Sequence, residues 1–130
     1  LQYEVSRGMM PFGGGTARWP AAVGAQNAWR YLLTGDELDA QEALRIGLVQ
    51  QVTAREDCRA AAFAIAEKIA DQAPLAVQAT LKNSRLGLAK GQAAAIKNIN
   101  KSMLRILISK DLRRALKSFS SGEPARFEGD

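Results

Sequence analysis

The amino-acid sequence predicts a mostly helical protein with two short strands. Its 130 residues are 47% hydrophobic and 24% charged, a balance typical of a folded globular chain rather than a disordered or fibrous one. In the second half, apolar residues recur three or four positions apart, which places them on one face of a helix. Residues 1–7 alternate in polarity, and 48–52 are apolar with β-branched valines, as in short strands. Two short strands cannot form a stable sheet alone, so we expect their sheet partners to lie outside this chain.

Capping residues and glycines predict the helix boundaries in the first half. Thr16 is expected to cap a first helix that Gly24 ends, and a second helix covers about 25–33. Asp39, with a glutamate three positions later, forms a capping-box pattern that starts a third helix. Gly47 is the expected left-handed stop of that helix.

The second half is predicted to hold four helices. Thr53 and Glu56 repeat the capping pattern, and Pro74 suits the first turn of the next helix, which Gly91 breaks. Asp111 is expected to cap the last helix. The apolar faces predicted to be buried in these helices contain Cys58, Ala62, Ile65, Ile69, Val77, Leu81, Ile96, Ile99, Met103, Ile106, Leu107, Leu112, Ala115, Leu116 and Phe119.

The residue inventory excludes several kinds of site. There is no histidine, so triads and metal sites that need imidazole are excluded within this chain. The single cysteine, Cys58, excludes an internal disulfide and an all-cysteine zinc site, and we interpret it as a small core residue. We therefore expect no metal. Catalysis within the chain would have to use carboxylates or backbone amides.

Positive charge is concentrated in one segment. Residues 82–117 hold ten basic residues and one acidic residue, Asp111, within a chain of net charge +5. This segment is either a solvated helix face or a surface for an anionic partner: a phosphate-bearing ligand, an acidic surface of another subunit, or nucleic acid. Nucleic acid is the less favoured partner, because no aromatic residue interleaves the basic run before Phe119.

Motifs in four parts of the sequence occur together in one known family. In residues 4–20, Glu4 is followed by Gly8, Pro11 and the run Gly-Gly-Thr-Ala-Arg-Trp-Pro. Residues 33–49 contain Leu-Thr-Gly, Ala-x-x-Ala and Gly-Leu-Val. Residues 66–76 contain Ala-Glu-Lys-Ile-Ala and Ala-Pro-Leu-Ala, and the chain closes with Asp111, Phe119 and Pro-x-x-Phe-x-Gly. In this order they resemble the enoyl-CoA hydratase/isomerase (crotonase) family over nearly the whole chain.

The resemblance implies the C-terminal part of a crotonase-like β/α spiral fold. Residues 1–53 would be the end of the core, and residues 54–130 a helical region used for oligomerisation, as a homotrimer or a dimer of trimers. The family's oxyanion hole and a first catalytic glutamate come from its N-terminal half. We therefore expect the 130-residue chain alone to be inactive.

The resemblance also assigns site residues and a function. Glu4 would be the catalytic acid/base, whereas Phe12, Gly13 and Phe119 would bind substrate. The implied activity is that of a lyase, an enoyl-CoA hydratase that adds water to a 2-enoyl-CoA thioester. Coenzyme A enters as part of the substrate, no other cofactor is expected, and the protein would be cytoplasmic with no membrane partner.

The residues taken alone leave alternatives open. Glu4 could be an exposed strand residue, Gly13–Gly15 a tight turn that lets a helix pack closely, and Phe119 part of an apolar helix face. Phe12 stands where many hydratases have glycine. The alternative functions are another reaction of the family, such as isomerisation or hydrolysis, a non-catalytic helical assembly module, and a nucleic-acid-binding module on residues 82–117.

Overall fold

The computed structural model describes residues 2–130 and divides into two compact units, Leu1–Cys58 and Arg59–Asp130. The first unit holds one turn of 3-10 helix and three α-helices. The second holds a helix that begins at the boundary, at Cys58, and three further helices. In chain order the helices are α1 (Gly15–Val23), α2 (Ala25–Thr34), α3 (Ala40–Arg45), α4 (Cys58–Ala70), α5 (Pro74–Lys90), α6 (Gln92–Leu107) and α7 (Lys110–Ser121).

The prediction of two strands is wrong, and residues 2–130 contain only helices, turns and irregular segments. Residues Glu4–Arg7 form the 3-10 turn, which closes at Gly8 because its left-handed φ of 71° turns the chain back. Residue 1 of the predicted first strand lies outside the described residues. Residues 48–52 are irregular because the N–H groups of Leu48 and Val49 both donate to the Ala43 carbonyl, at 2.8 and 3.2 Å. The mostly helical class is confirmed.

Some helix starts also differ from the prediction. Helix α1 begins one residue before Thr16, and its cap is Gly14, whose φ of 93° favours glycine. The hydroxyl of Thr53 donates to the Ala54 carbonyl instead of capping α4, which starts only at Cys58. The prediction for Asp39 is confirmed, since its carboxylate accepts a hydrogen bond from the Glu42 N–H at 2.7 Å.

The first unit has a compact apolar core. Helices α1 and α2 meet at Gly24, whose φ of 79° allows the sharp change of direction between them. Their facing sides and the end of α3 are then buried together. The core consists of Val23, Ala28, Tyr31, Leu32 and Ile46, with Trp19, Leu38 and Leu48 packed against it.

The second unit is organised around a helical hairpin. Helices α5 and α6 are joined by Gly91 alone, with a φ of 87°. Pro74 is the first residue of α5, as predicted. A Cβ atom on Gly87 would lie 3.3 Å from the Ala95 Cβ, so the absence of a side chain there lets the two helices approach closely.

The C-terminal segment is fastened to the start of α7, and this corrects the role predicted for Asp111. The cap of α7 is Ser109, whose Oγ accepts from the Leu112 N–H at 3.1 Å. The buried carboxylate of Asp111 instead accepts from the N–H groups of Glu128 at 2.9 Å and Gly129 at 2.7 Å. Arg114 also donates to it, at 2.7 Å.

Most apolar side chains of the second unit are more exposed than predicted. Among the described residues, α4, α5 and α6 contain no fully buried side chain. Cys58 is exposed, so its interpretation as a core residue is wrong. The helical period predicts which residues share a face, but not what covers that face. The exposed residues predicted to be buried include Cys58, Ala62, Ile65, Ile69, Leu81, Ile96, Ile99, Met103, Leu107, Leu116 and Phe119.

No helix formed by residues 2–130 combines the length and the apolar character that crossing a membrane would require.

Candidate functional site

A cleft of about 370 Å³ opens in the first unit between the 3-10 turn, the glycine-rich turn and α1. It brings together one carboxylate, one guanidinium and the backbone of two glycines, above an apolar wall. Such a mixture of a few polar groups with apolar surface is typical of small-molecule sites. Its lining residues are Gln2, Glu4, Gly13, Gly15, Arg18, Trp19, Ala22 and Leu48.

Glu4 is held in this cleft by its backbone. It is the first residue of the 3-10 turn, and its carbonyl accepts a hydrogen bond from the Met9 N–H at 3.0 Å. The side chain is half-buried, and Oε2 is shielded from solvent without a hydrogen-bond partner among residues 2–130. A shielded carboxylate oxygen without a donor is unfavourable. This atom is therefore suited to accept a hydrogen bond from a ligand or to exchange a proton with one.

The glycine-rich turn beside Glu4 is closely packed. A Cβ atom on Gly15 would lie 2.7 Å from the Gln2 side-chain oxygen, so a larger residue would displace that side chain. The Arg18 side chain donates to the Gly13 carbonyl at 3.1 Å and lies 3.0 Å from the place where a Cβ of Gly14 would be. Arg18 thus holds the turn by a hydrogen bond, and the Gln2 side chain packs closely against it at Gly15.

Helix α1 begins at this turn without a side-chain cap from the described part of the chain. The N–H groups of Ala17 and Arg18 donate to the Gly14 carbonyl at 3.2 and 2.9 Å, which leaves those of Gly15 and Thr16 without a backbone partner in the described part of the chain and with partial positive charge. They are therefore able to donate to an oxygen atom of a ligand. Gly15 lines the same cleft as the carboxylate of Glu4, and such a pair of donor and acceptor can hold a water molecule or a carbonyl group.

A second polar cluster in the first unit is structural. The Tyr31 hydroxyl donates to Glu42 Oε1 at 2.6 Å, and Arg45 donates to both Glu42 oxygens at 2.5 and 2.7 Å. The Arg45 hydrogen bonds, followed by that of Tyr31, lower the pKa of Glu42 to about 2. The hydrogen bond to Glu42 raises the pKa of Tyr31. Because both oxygens of Glu42 are occupied and the group is a weak base, Glu4 is the better candidate for proton transfer.

The structure brings some of the predicted site residues together and separates others. Glu4 and Gly13 line the same cleft, whereas the Phe12 side chain is 78% exposed and is not part of the lining. Phe119 belongs to α7 in the second unit and is 93% exposed. The roles of these four residues in catalysis and binding stay predictions.

Gln2 and Arg18 are members of the cleft that the sequence did not indicate. For Arg18 a signal existed, since it lies four residues after Gly14 and can therefore reach back over the glycine-rich turn. For Gln2 no sequence signal was present. Residues 2–130 contain no group of three or more cysteine, aspartate or glutamate side chains that could hold a metal ion.

Comparison with known proteins gives the family. The family model described as enoyl-CoA hydratase/isomerase matches residues 1–130. The chain belongs to the enoyl-CoA hydratase/isomerase family. A crystal structure of a probable enoyl-CoA hydratase/isomerase from Mycobacterium abscessus is 44% identical, with a TM-score of 0.91 over 99% of this chain and 50% of that one. The solved relatives of this family member have the crotonase fold, as the sequence motifs implied.

Two curated relatives of this family member carry more specific names. An enoyl-CoA isomerase/hydratase of Mycosarcoma maydis is 31% identical over 126 residues, which are 97% of this chain and 46% of that protein. The (E)-benzylidenesuccinyl-CoA hydratase of Thauera aromatica is 45% identical over 73 residues, which are 56% of this chain and 28% of that protein. The chain spans about half the length of the curated relatives that match it along 97% of its length.

Proposed function

We propose that a full-length protein containing this chain adds water to 2-enoyl-CoA thioesters, with Glu4 as an acid/base. The observation that carries the proposal is the shielded and unpartnered Oε2 of Glu4 in a cleft beside the start of α1. Membership of the enoyl-CoA hydratase/isomerase family supports the substrate class. The relative named as a hydratase of an enoyl-CoA compound supports the reaction.

The chemistry explains why a single carboxylate is useful here. The oxygen of water bonds to C3 of the conjugated thioester, and the α-carbon, C2, receives a proton, so that a 3-hydroxyacyl thioester forms. Negative charge develops on the thioester oxygen during the reaction, and it needs hydrogen-bond donors. Glu4 would take the proton from water or supply the one that reaches the α-carbon. In this proposal the donors for the thioester oxygen and a first catalytic glutamate come from residues outside this chain.

The proposal requires no cofactor beyond the coenzyme A carried by the substrate. Addition of water moves one proton and one hydroxyl group onto the double bond, so no external electron donor or acceptor takes part. The substrate-binding surface would include Gly13, which lines the cleft, and the neighbouring Phe12. The exposed ring of Phe12 would border the entrance, where many hydratases have a glycine.

The reaction is tested with short acyl-CoA substrates and the full-length protein. We expect a 2-enoyl-CoA to lose the ultraviolet absorption of its conjugated thioester as the 3-hydroxyacyl-CoA forms, and the 130-residue chain alone to show no turnover. Conversion of a 3-enoyl-CoA without hydration would indicate an isomerase, and release of free coenzyme A thiol would indicate a hydrolase. Full turnover by the 130-residue chain would show that no outside residues are needed and would refute this division of the site.

Exposed apolar side chains favour a second role, assembly with copies of the same chain. Helix α6 exposes Ile96, Ile99 and Leu104 by 60%, 45% and 64%. Exposed apolar patches of this kind are typical of protein interfaces. We propose that these faces pack in a homo-oligomer, as a trimer or a dimer of trimers. Further exposed apolar residues lie on α4 and α7: Phe63, Ile65, Ile69, Leu116 and Phe119.

A charge placed on this surface is expected to disrupt the assembly. In the full-length protein, Leu104→Glu should lower the sedimentation coefficient to that of a monomer or a smaller oligomer, because the carboxylate would be buried at the interface. Arg55→Gln, which lowers the net charge by the same amount at an exposed position of the first unit, is the control and should leave the assembly intact. A wild-type protein that sediments as a monomer at high micromolar concentration would rule out self-association through these helices.

A further inference from the structure

A second cleft, of about 430 Å³, lies between α5 and α6 in the second unit. We call it the α5–α6 groove and define it by Leu75 and Lys82 of α5 and by Asn98, Lys101, Arg105 and Ile106 of α6. Three of these six side chains are cationic, and none of the residues that line the groove is acidic. The proposed hydratase site does not use this groove, because that site lies in the other unit.

The hairpin geometry explains how three cations come to face one space. Because Gly91 alone joins the helices, residues at similar distances from it lie opposite each other, as the 2.9 Å hydrogen bond from Asn98, seven residues after Gly91, to Asn83, eight residues before it, shows. Lys82 is next to Asn83 in α5, so this register places it near the part of α6 that contains Asn98. Lys101 and Arg105 are four residues apart on α6, so they share its face toward the groove.

The positive charge of the groove is not neutralised by the described part of the chain. Residues 2–130 provide no ion-pair partner for Lys82, Lys101 or Arg105. The single acidic residue of segment 82–117, Asp111, is already bound to Arg114 and to backbone N–H groups. Three like charges around one cleft repel one another, and a bound anion would relieve that repulsion.

Neutral groups in the groove add a directional donor. Ser102 also lines the groove, and its Oγ accepts a hydrogen bond from the Asn98 side-chain amide at 2.9 Å. Because this oxygen accepts one hydrogen bond, its own hydrogen can point to another acceptor. No acceptor for the Ser102 hydroxyl lies within reach among residues 2–130. The groove therefore offers three charged donors and one hydroxyl donor, a set that matches the several oxygens of a phosphoryl group.

We infer that the α5–α6 groove is an anion site that takes a phosphate-bearing small molecule. Its volume lies within the range of small-molecule sites, about 300–1,000 Å³. The side chains of Leu75 and Ile106 supply an apolar wall for a part of the ligand that carries no charge. A single-stranded nucleic acid is a poorer match, because the groove has no aromatic side chain on which bases could stack.

Calorimetric titration of the full-length protein with inorganic phosphate and with pyrophosphate tests this inference. We expect saturable binding of one anion per chain, weakened at least about tenfold by Lys101→Gln and by Arg105→Gln. Lys68→Gln removes the same charge from an exposed position of α4, a helix that contributes no residue to the groove, and it should change the affinity by less than about twofold. Pyrophosphate should also raise the Tm of the wild-type protein by mass action, but not that of Arg105→Gln.

The outcomes separate a phosphate site from diffuse surface charge and from a site for a different anion. Saturable binding of inorganic phosphate or of pyrophosphate, with the expected effects of the variants, supports the inference. Comparing the two affinities shows whether the groove prefers one or two phosphoryl groups. Absence of saturable binding, or equal weakening by Lys68→Gln, overturns it, because the second result indicates diffuse surface charge. Tighter binding of single-stranded DNA than of pyrophosphate, or binding of a poly-glutamate peptide without binding of either phosphate, also overturns it.

Discussion

Replacing Glu4 with glutamine is expected to lower the kcat of hydration about 10²–10⁴-fold in the full-length protein, with a much smaller change in KM. Glutamine preserves the length of the side chain and can still form hydrogen bonds. It cannot accept a proton from water or give one to the α-carbon. The loss of activity should therefore appear in kcat, which reports the chemical step. The measurement is a steady-state assay with a short 2-enoyl-CoA, together with circular dichroism to show that the variant folds.

Two further variants make the experiment specific to position 4. Glu56→Gln removes an exposed carboxylate from the same unit and should leave kcat within about twofold, since surface charges interact weakly with a distant site. Glu4→Asp keeps a carboxylate, but its side chain is shorter by one methylene group. It should therefore retain more activity than Glu4→Gln. If Glu4→Gln keeps the rate within about threefold, Glu4 has no part in proton transfer.

The sequence predicted much of the helical structure because caps and glycines act locally. Asp39 caps α3, Pro74 begins α5 and Gly91 ends it, and each of these depends on residues within one turn. The two strands failed for the opposite reason. A strand is stabilised by a neighbour, whereas segment 48–52 is bonded back to Ala43 and segment 4–7 closes on itself. Alternation of polarity could not decide between these outcomes.

The candidate site was predictable only through family resemblance. Periodicity alone gave Glu4 no role, and its shielded oxygen depends on how the 3-10 turn packs near the glycine-rich turn. Gln2 was missed because its contact with the turn at Gly15 depends on tertiary packing. Phe119 of the second unit was wrongly predicted to be buried. Its spacing places it on an apolar helix face, but spacing does not specify what covers that face. The two compact units are divided at residues 58/59. The predicted division at residues 53/54, between the end of the core and a region used for oligomerisation, stays a prediction.

Asp111 is the clearest case in which tertiary contact replaced a local role. A carboxylate near a helix start suggests a cap, but Ser109 already performs that function. Asp111 is 1% exposed and binds two backbone N–H groups of the C-terminal segment as well as Arg114. Arg114 also binds Glu128 at 2.6 Å and contacts Asp130, so that one buried carboxylate and one guanidinium hold the end of the chain against α7.

The pKa values of this cluster follow from these contacts. Burial alone would raise the pKa of Asp111, but the N–H groups of Glu128 and Gly129 and the Arg114 guanidinium outweigh it and lower that pKa. Hydrogen bonds from Arg114 and then Lys110 lower the pKa of Asp130 to about 2. Both carboxylates therefore bind protons less readily in the folded state than in the unfolded state. Their contribution to stability is therefore present above the ordinary carboxyl pKa of 3.8 and declines as the pH falls below it, and for Asp130 it is lost as the pH approaches about 2.

Asp111→Ala is accordingly expected to lower the Tm of the full-length protein by about 10 °C at neutral pH, because it leaves two buried N–H groups and Arg114 without their acceptor. The difference from wild type should be largest above the ordinary carboxyl pKa of 3.8 and should shrink as the pH falls below it, because the pKa of Asp111 is lowered in the folded state. Glu123→Ala is the matched control, since it removes an exposed carboxylate from the same segment, and its Tm should stay close to that of wild type. Equal Tm values for the two variants would mean that Asp111 does not fasten the C-terminal segment. Measuring hydrogen exchange at the Glu128 and Gly129 amides adds a local readout, because faster exchange in Asp111→Ala alone would locate the loss of stability at these two bonds.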